Sequence, residues 1–497
     1  MKSRRPLLLI VVSALALRFL LMPVLPLVDT TEGRYAVVAQ EMALTDDWVT
    51  PKVWIEGELI PFLGKPPLFF WLAAGSMKLF GINELSARLP SWLAMLGVVA
   101  LMGFILRRFV DERTSWLAMA LTLACPVFLG LGGAVATDML LAAFVAGAVL
   151  VYLAFALETE KRLRRRWSLL LFTLLAGGFL TKGPVALALF GMPVLAWTIL
   201  YRKWDLLRDH AWGRGILLFL ALVVPWFWLC EIRNPGFLEY FFVNENFLRF
   251  VTPNYGDRYG NGHIFPRGSA LVMLFLATMP WSPYALWLGW RRRRDVSLRP
   301  SNQMVGLLFL GFLVPTLFWC LARQLLITYL LPMVPLFCAW LALVLPRGGL
   351  LQRRPGRVIG AVLGTVAVLG CTLGPMVCAD RSAKGIVTCG QRRVGSMLIF
   401  TRRVPYSAYF YGRGSVLPHP KWPVAQATRL ALSMGDSAVL VMKDYCLEDI
   451  PDEMAPHVRQ VAAAGKYVLL VPEDQSAQLS ASECRVVGHN STPYILP

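Results

Sequence analysis

Residues 136–166 read ATDMLLAAFVAGAVLVYLAFALETEKRLRRR, and this stretch indicates the fold class. It contains an apolar run at residues 139–157, which is followed at once by a basic cluster at residues 161–166. A helix needs about 20 mainly apolar residues to cross the hydrocarbon layer of a bilayer. Basic residues collect in the loops on the cytoplasmic side. The stretch therefore predicts a membrane-spanning helix that ends at a cytoplasmic surface.

Ten further apolar runs fill the chain as far as residue 377. They lie at residues 6–28, 89–106, 114–131, 167–181, 184–201, 215–232, 269–290, 304–322, 327–345 and 358–377. Only 16% of the 497 residues are charged, against roughly 25% in a typical soluble domain. The predicted fold class is a polytopic α-helical membrane protein with about eleven transmembrane helices and a small C-terminal α/β domain.

The basic clusters also predict the topology. Every even-numbered run ends in such a cluster, whereas the short connections 132–138, 182–183 and 323–326 carry far fewer positive charges. The N-terminus is therefore expected in the cytoplasm of a cell whose inner membrane holds the protein. Three segments are expected on the periplasmic side: the first outer loop (29–88), the second outer loop (233–268) and the tail (380–497). Residues 1–379 form the predicted transmembrane domain. Run 6–28 also resembles a signal peptide, but its length favours an uncleaved first helix.

The net charge of +19 does not indicate a nucleic-acid partner, because it is divided among short clusters between apolar runs. No phosphate-binding loop of the ATPase type is present, which disfavours an ATP-driven pump. Five scattered histidines form no spaced ligand set. No metal or other cofactor is therefore expected.

The tail has the pattern of a small soluble α/β domain. Residues 439–442 and 467–471 are short apolar runs typical of strands, and residues 424–434 and 457–464 suggest helices. Four cysteines lie in the tail or at its border: Cys378, Cys389, Cys446 and Cys484. In an exported domain they form either two disulfides or free thiols.

Polar residues that carry chemistry lie where the apolar runs end on the outer side. Asp29 and Glu32 open the first outer loop, where a carboxylate can remove a proton from a hydroxyl group or can simply be a solvated helix end. Asp138 lies at the outer end of a span. An ionisable group at that depth indicates either a functional site or a helix cap.

Three cations lie on the outer side, where positive charge is otherwise disfavoured: Lys65, Lys182 and Arg249. If they converge, they suit a phosphate group and can stabilise the charge that grows on a leaving phosphate. Each one alone is also explained by a long side chain that reaches the membrane interface.

Several motifs along the chain form a recognisable set. They are DTTEGRYAVVAQEM (29–42), DDWVTP (46–51), GKPPLFFW (64–71), SARLPS (86–91), ATDMLLA (136–142), LTKGPVAL (180–187) and ENFLRF (245–250). With them the chain resembles the bacterial dolichyl-phosphate-mannose-protein mannosyltransferase-like family. That family includes the aminoarabinose transferases that modify lipid A and belongs to the GT-C class of integral-membrane glycosyltransferases. The resemblance covers about the first 380 residues.

The resemblance implies a role for each candidate. Asp29 or Glu32 corresponds to the proposed catalytic base; we favour Asp29, with Glu32 and Arg34 in support. The second acid of the family matches Asp138. The cations that bind the donor phosphate in the family match Lys65, Lys182 and Arg249. We expect Arg34 to bind the donor phosphate as well.

Two departures from the family pattern concern metal binding. Aminoarabinose transferases usually have Glu where this chain has Gly64, and tend to have His where it has Asn246. Those positions can hold a metal ion in the relatives, so a metal is not expected here. The resemblance also implies thirteen spans, two more than the apolar runs indicate.

The predicted function is transfer of a sugar from a polyprenyl-phosphate donor to a lipid, glycan or protein acceptor, with inversion at the anomeric carbon. Membrane lipids surround the site. One alternative is a transporter or flippase of a lipid-linked sugar. This alternative predicts two symmetric halves and helices that are broken at the membrane midplane. No internal repeat is evident. The other alternative is a non-catalytic assembly subunit that binds a partner through the tail.

Overall fold

The fold is described from a computed structural model that covers residues 4–252, 256–257, 259–261, 263–291, 303–346, 349–391 and 397–473. The helices before the tail are Arg4–Leu21 (α1), Thr31–Thr45 (α2), Leu68–Phe80 (α3), Glu84–Phe109 (α4), Glu112–Leu123 (α5), Pro126–Leu131 (α6), Thr137–Leu157 (α7), Lys161–Lys182 (α8), Pro184–Tyr201 (α9), Trp204–Arg208 (α10), Trp212–Arg233 (α11), Phe237–Glu239 (α12), Arg249–Val251 (α13), Ser269–Ala277 (α14), Trp281–Arg291 (α15), Gln303–Trp319 (α16), Met333–Val344 (α17), Leu350–Arg353 (α18) and Pro355–Asp380 (α19). A π-helix, Tyr240–Leu248, joins α12 to α13, and a 3-10 helix, Ile327–Leu330, precedes α17.

Every predicted apolar run falls on a described helix or pair of helices. Within the described residues, five helices are long and apolar enough to cross a membrane: α4, α7, α9, α11 and α19. The pair α14 and α15, bent by 107°, makes a sixth if it counts as one span. The helices α5, α16 and α17 are shorter. Helix α1 contains Arg18 near its end, and α8 carries basic residues at both ends, at 161–166 and at Lys182. The chain is thus a multi-pass membrane protein, although fewer helices meet this criterion than the eleven predicted.

The first predicted run is longer than the helix it contains. Helix α1 ends at Leu21, whereas the apolar run continues to residue 28. Pro23 and Pro26 follow the end of the helix. Proline lacks the backbone N–H that a helix interior requires, so the last part of the run forms an irregular connection to α2.

Helix α7 is the central helix of the bundle. Of its most apolar stretch, 78% is buried inside the protein, against 6% for α19 at the periphery. It packs closely on α8, where Gly177 faces the ring of Phe144. A side chain at Gly177 would bring its Cβ within 2.4 Å of that ring, so the absence of a side chain sets the separation of the two helices.

The reversal from α8 to α9 depends on Gly183. This residue has φ of +74°, in the region that favours glycine, and Pro184 begins the next helix directly. A Cβ at Gly183 would also lie 2.6 Å from the ring of Phe241 on the second outer loop. The turn therefore brings the end of α8, with Lys182, against that loop.

The first outer loop folds on the bundle as two helices and a hairpin. Strands Lys52–Ile55 (β1) and Glu58–Pro61 (β2) pair antiparallel between α2 and α3. Tyr35 of α2 packs against the rings of Phe62, Phe69 and Phe70, and all four rings are buried. In the second outer loop, Gly256–Asp257 (β3) and Gly260–Asn261 (β4) form a short antiparallel pair.

The described part of the tail is a three-layer α/β unit. Its strands are Met397–Phe400 (β5), Ala438–Lys443 (β6), Val458–Ala464 (β7) and Tyr467–Pro472 (β8), and its helices are Lys384–Gln391 (α20), Tyr406–Gly412 (α21) and Val424–Met434 (α22). The sheet order is β5-β6-β8-β7, with β5 and β6 parallel and the other pairs antiparallel. Helices α20 and α21 cover one face of the sheet and α22 covers the other.

Two expectations for the tail need correction. Residues 457–464 are predicted as a helix, but they form strand β7, because a turn at Gly465 pairs them with β8. Two disulfides are excluded, because Cys378 and Cys446 are free thiols, whereas Cys389 is disulfide-bonded. Cys484 lies outside the described residues.

The tail packs on the first outer loop through polar and aromatic contacts. The Tyr411 hydroxyl donates to Oε1 of Glu84 (3.0 Å) and accepts from the backbone N–H of Leu27 (2.8 Å). Lys384 forms an ion pair with Glu84, and the ring of Tyr409 stacks on Trp54 at 5.4 Å. The tail is therefore fixed to the segment that leads out of the first helix.

The α7–α8 contact gives a test of the packing. We expect Gly177→Val to destabilise the protein by about 1–3 kcal/mol, because the new methyl groups must push Phe144 and α7 away. The measurement is the thermal unfolding midpoint of the purified protein in detergent. The matched control is Gly191→Val in α9, where a Cβ meets no atom within 4 Å. Equal midpoints for both variants would contradict the role assigned to Gly177.

Candidate active site

Two cavities lie between the outer loops and the membrane helices, and they share one wall. The larger cavity, of about 230 Å³, is lined mainly by apolar residues outside the shared wall. The smaller cavity, of about 60 Å³, has a more polar lining. The shared wall consists of Gly64, Lys65, Lys182, Glu245, Arg249 and Tyr329. The three predicted phosphate-binding cations therefore do converge, although they come from segments far apart in the sequence.

Two of these cations meet on a single carboxylate. Arg249 donates from Nη1 to Oε1 of Glu245 at 2.7 Å, and Lys65 forms an ion pair with the same oxygen. Lys65 also donates to the carbonyl of Gly64 (2.7 Å), and Arg249 donates from Nε to Oε1 of Gln324 (3.0 Å). The cluster is held by fixed partners in the protein.

The local backbone explains how Lys65 and Glu245 come together. Lys65 lies in the turn after β2, and Tyr259 holds that turn: its hydroxyl accepts from the N–H of Leu63 and donates to the carbonyl of Pro61, both at 2.8 Å. Glu245 lies in the π-helix, one turn before Arg249. Such helices are rare and are frequent at functional sites.

Asp138 and Lys182 form the second ion pair of the site, and both are buried. Asp138 is in the first turn of α7, where the helix dipole favours a negative charge. The Lys182 ammonium also lies 3.8 Å from the centre of the Tyr329 ring. The alternative that Thr137 or Asp138 caps the helix is wrong, since the cap residue is Ala136 and no side chain makes a capping bond.

Arg34 also reaches the smaller cavity, from the first turns of α2. It donates from Nη1 to the carbonyl of Tyr259 at 2.7 Å, which ties the first outer loop to the second. Its buried Nε has no hydrogen-bond partner among the described residues. Thr31, one turn earlier, lines the same cavity.

Asp29 does not line either cavity, contrary to the position expected of a base. Its carboxylate faces the tail, where it accepts from the backbone N–H of Ser407 (3.0 Å) and from the Ser407 hydroxyl. Burial raises the pKa of Asp29 to about 6, against the opposing effect of the Ser407 hydrogen bonds. The contact makes Asp29 part of the junction between the first outer loop and the tail.

Glu32 is likewise placed away from the cavities. Arg88 donates to both of its carboxylate oxygens, at 2.9 and 3.0 Å, and the N–H groups of Val28 and Val135 donate to them as well. Burial acts to raise the pKa of Glu32, but Arg88 and these hydrogen bonds together hold it below its usual value. Glu32 thus holds Arg88 and two backbone N–H groups, and it is not among the residues that line the two cavities.

The structure adds site residues to which the sequence assigned no role. Glu245 opens the motif ENFLRF four residues before Arg249, and that spacing was a usable signal for an ion pair on one helical face. Gln324 lies in the connection after α16 and Tyr329 in the 3-10 helix that follows it. Neither belongs to a motif, so no sequence signal marked them.

The positions linked to metal binding in relatives have other contacts here. The side-chain amide of Asn246 donates to the carbonyl of Phe241 at 2.7 Å, and Gly64 lies against the ring of Tyr259. Among the residues that the structure describes, no group of three or more His, Cys, Asp or Glu side chains is arranged to hold a metal ion. The expectation of no cofactor stays a prediction.

Comparison with known proteins agrees with this architecture. The family model described as dolichyl-phosphate-mannose-protein mannosyltransferase matches residues 64–228. ArnT from Cupriavidus metallidurans, in a crystal structure with bound undecaprenyl phosphate, has the same fold, with a TM-score of 0.72, 22% identity, and coverage of 93% of this chain and 97% of that chain. Its apo structure gives a TM-score of 0.70 with 23% identity. The chain thus has the fold of the GT-C class of membrane glycosyltransferases.

The chain is also similar to curated proteins that are named as aminoarabinose transferases. The chain is 31% identical over 319 residues to the undecaprenyl phosphate-alpha-4-amino-4-deoxy-L-arabinose arabinosyl transferase of Aeromonas hydrophila subsp. hydrophila. The enzyme of the same name from Aeromonas salmonicida is 32% identical over 338 residues. These matches cover 62% and 64% of this chain and 54% and 57% of the relatives, so the chain spans little more than half their length. The resemblance to the mannosyltransferase-like and aminoarabinose transferase-like family is confirmed.

The pairing of Glu32 with Arg88 leads to a test by double substitution. We expect Arg88→Met alone to destabilise the protein by about 3–5 kcal/mol, because it leaves a buried carboxylate without its partner. Glu32→Gln combined with Arg88→Met should cost clearly less than the sum of the two single changes. Thermal unfolding of the four proteins measures the coupling. Additive effects would show that the two residues act independently.

Asp29 should make the stability of the protein depend on pH. Burial raises the pKa of this carboxyl group to about 6 in the folded protein, whereas its ordinary value of 3.8 applies in the unfolded chain. Between these values the folded state binds up to about one more proton, so stability should fall as pH rises from about 4 to about 6, and the loss should persist above 6. Asp29→Asn should flatten this component.

The measurement for Asp29 is the unfolding midpoint of both proteins from pH 4 to pH 7. Asp452→Asn, at an exposed position in the tail, serves as the control and should follow the pH dependence of the unchanged protein. Parallel curves for the Asp29 variant and the unchanged protein would show that this carboxyl group does not carry the effect.

Proposed function

We propose that this protein is a glycosyltransferase that moves a sugar from a polyprenyl-phosphate donor to an acceptor at the periplasmic face of the inner membrane. The observation that carries the proposal is the shared wall. An apolar cavity and a polar cavity meet at Lys65, Lys182 and Arg249. A lipid-linked sugar has the same order of parts: an apolar chain, a phosphate and a polar sugar.

The larger cavity suits the isoprenoid part of the donor. Aromatic and aliphatic side chains form most of its lining, including Phe241, Phe250, Phe318, Trp319 and Val185. Apolar contact of this kind holds the first isoprene units without competing for the phosphate. The remainder of the long chain can stay among the membrane lipids.

The cations at the wall suit the phosphate. A sugar phosphodiester carries one negative charge, and the phosphate that leaves after transfer carries nearly two. Lys65, Lys182 and Arg249 therefore interact more strongly with the leaving phosphate than with the donor. An interaction that strengthens along the reaction lowers its barrier.

Asp138 is the predicted acid that faces the smaller cavity, so we propose it as the base in place of Asp29. The acceptor hydroxyl enters this cavity and gives its proton to the Asp138 carboxylate. Its oxygen forms a bond to the anomeric carbon while the bond from that carbon to the phosphate oxygen breaks. The electron pair departs on the phosphate, and a displacement from the opposite side inverts the configuration. Lys182 holds Asp138 in position.

The relatives support the choice of carrier. Their names specify undecaprenyl phosphate with an aminoarabinose group, and the ArnT crystal structure contains undecaprenyl phosphate. We propose undecaprenyl phosphate as the carrier here, with a lipid, glycan or protein hydroxyl as acceptor. In this proposal the N-terminus lies in the cytoplasm and the tail in the periplasm, and neither a metal nor a nucleic acid takes part.

The decisive experiment compares lipids, glycans and glycoproteins by mass spectrometry in cells with and without the gene. A sugar that is lost on deletion and restored by the unchanged gene identifies the product. We expect Asp138→Asn to reduce its formation by about 100-fold or more, the usual effect of removing a general base. Binding of undecaprenyl phosphate to the purified variant should persist.

Arg249→Ala should instead weaken the binding of undecaprenyl phosphate to the purified protein, because it removes two charge-assisted donors. Arg233→Ala is the control, since this exposed arginine of α11 pairs with Asp47 away from both cavities.

A full level of product with Asp138→Asn would refute the proposed base. Accumulation of an unflipped lipid-linked sugar in the deletion strain would favour the transporter.

A further inference from the structure

We infer that Glu245 is an internal competitor for the lipid phosphate: its carboxylate occupies the position between Lys65 and Arg249 in the empty site and must leave when the phosphate binds. The inference rests on the proposed function, because it takes the shared wall as the phosphate site. It assigns Glu245 the role of limiting how tightly, and for how long, the site holds the phosphate product.

The contacts of Glu245 carry the argument. The residue is only 8% exposed, and its Oε1 accepts from both Arg249 and Lys65. A phosphate oxygen requires the same two donors in the same place, since both groups are oxyanions that accept from ammonium and guanidinium groups. Both ligands cannot occupy the two cations in this way at once.

The other carboxylate oxygen has no such partners. Oε2 of Glu245 is buried and makes no hydrogen bond within the described part of the chain. The carboxylate is therefore held at one oxygen only, and a buried acceptor without a partner is destabilising. Glu245 is therefore an imperfect ligand for the pair of cations, as a group that is displaced in each catalytic cycle should be.

The charges around the cavities explain why displacement of Glu245 helps the phosphate product to leave. Four cations and two carboxylates line the two cavities. The cations are Lys65, Lys182, Arg249 and Arg34, and the carboxylates are Glu245 and Asp138. Without Glu245, the excess of positive charge would hold a phosphate with nearly two negative charges very tightly. The carboxylate repels the product while it is bound and takes its cations as it leaves.

The segment that carries Glu245 suits a change of contacts. Glu245 lies in the π-helix of residues 240–248, where the amide of Asn246 closes a bond back to the carbonyl of Phe241 at 2.7 Å. Ring contacts join this helix to its neighbours: Phe241 packs against Phe227 of α11 and against Phe237 of α12. Glu245 therefore lies in a segment that ring contacts anchor, while its own carboxylate is held by two ion pairs.

The experiment measures undecaprenyl phosphate on the full-length protein in lipid nanodiscs, both the dissociation constant and the dissociation rate. We expect Glu245→Gln to bind at least 10-fold more tightly and to release more slowly, because a neutral amide neither repels the phosphate nor competes well for the cations. Glu245→Asp keeps the charge, but its side chain is one methylene shorter. Its affinity for undecaprenyl phosphate should therefore lie between those of Glu245→Gln and the unchanged protein. Glu239→Gln, an exposed carboxylate in the same loop, should bind like the unchanged protein.

The outcomes separate this inference from the proposed function. If the Glu245 variants bind undecaprenyl phosphate equally or more weakly, while Lys65→Ala and Arg249→Ala still lose binding, the competitor role is refuted and the phosphate site stands. If the unchanged protein binds no better than Lys65→Ala and Arg249→Ala, the phosphate site itself is refuted. A residue that only stabilised the fold would not tighten binding when substituted.

Discussion

The ion pair between Glu32 and Arg88 is the interaction on which the rest of the site depends. Arg88 belongs to α4, yet it also donates to the carbonyls of Met22 and Pro26 at the end of the first helix. Glu32 in turn accepts from the N–H of Val135, in the connection that leads into α7 and Asp138. One buried pair thus joins four chain segments: α2, α4, the connection after α1 and the connection into α7.

The membrane fold could be predicted from the sequence because its signals are local. Apolar runs and the basic clusters between them depend only on neighbours along the chain. Each run falls on a described helix or pair of helices, apart from residues 22–28 of the first run. The same holds for the cations of the site: Lys65, Lys182 and Arg249 lie in connections on the predicted outer side, where positive charge is otherwise disfavoured. The sequence predicted that five residues converge: Asp29, Asp138, Lys65, Lys182 and Arg249. The structure places the last four around one pair of cavities, whereas Asp29 contacts Ser407 of the tail.

The sequence could not assign the carboxylates, because their roles depend on partners far away in the chain. Asp29 and Glu32 lie three residues apart in one motif, but one faces Ser407 and the other Arg88. Neither partner has a spacing that a motif reveals. Residues 458–464 pose the same problem in the tail: their alanines favour a helix locally, and pairing with β8 overrides that preference. Glu245 was visible as part of a motif, but its contact with Lys65 spans 180 positions.

The contact of Asp29 with Ser407 has a consequence for biogenesis. The two residues are 378 positions apart, so the loop that follows the first helix is synthesised long before the tail. Until the tail arrives, Asp29 stays hydrated, and Glu84 lacks both Lys384 and Tyr411. The junction between the first outer loop and the tail therefore forms only after the tail has been synthesised, and a nascent chain halted before residue 384 would leave that loop without its cover.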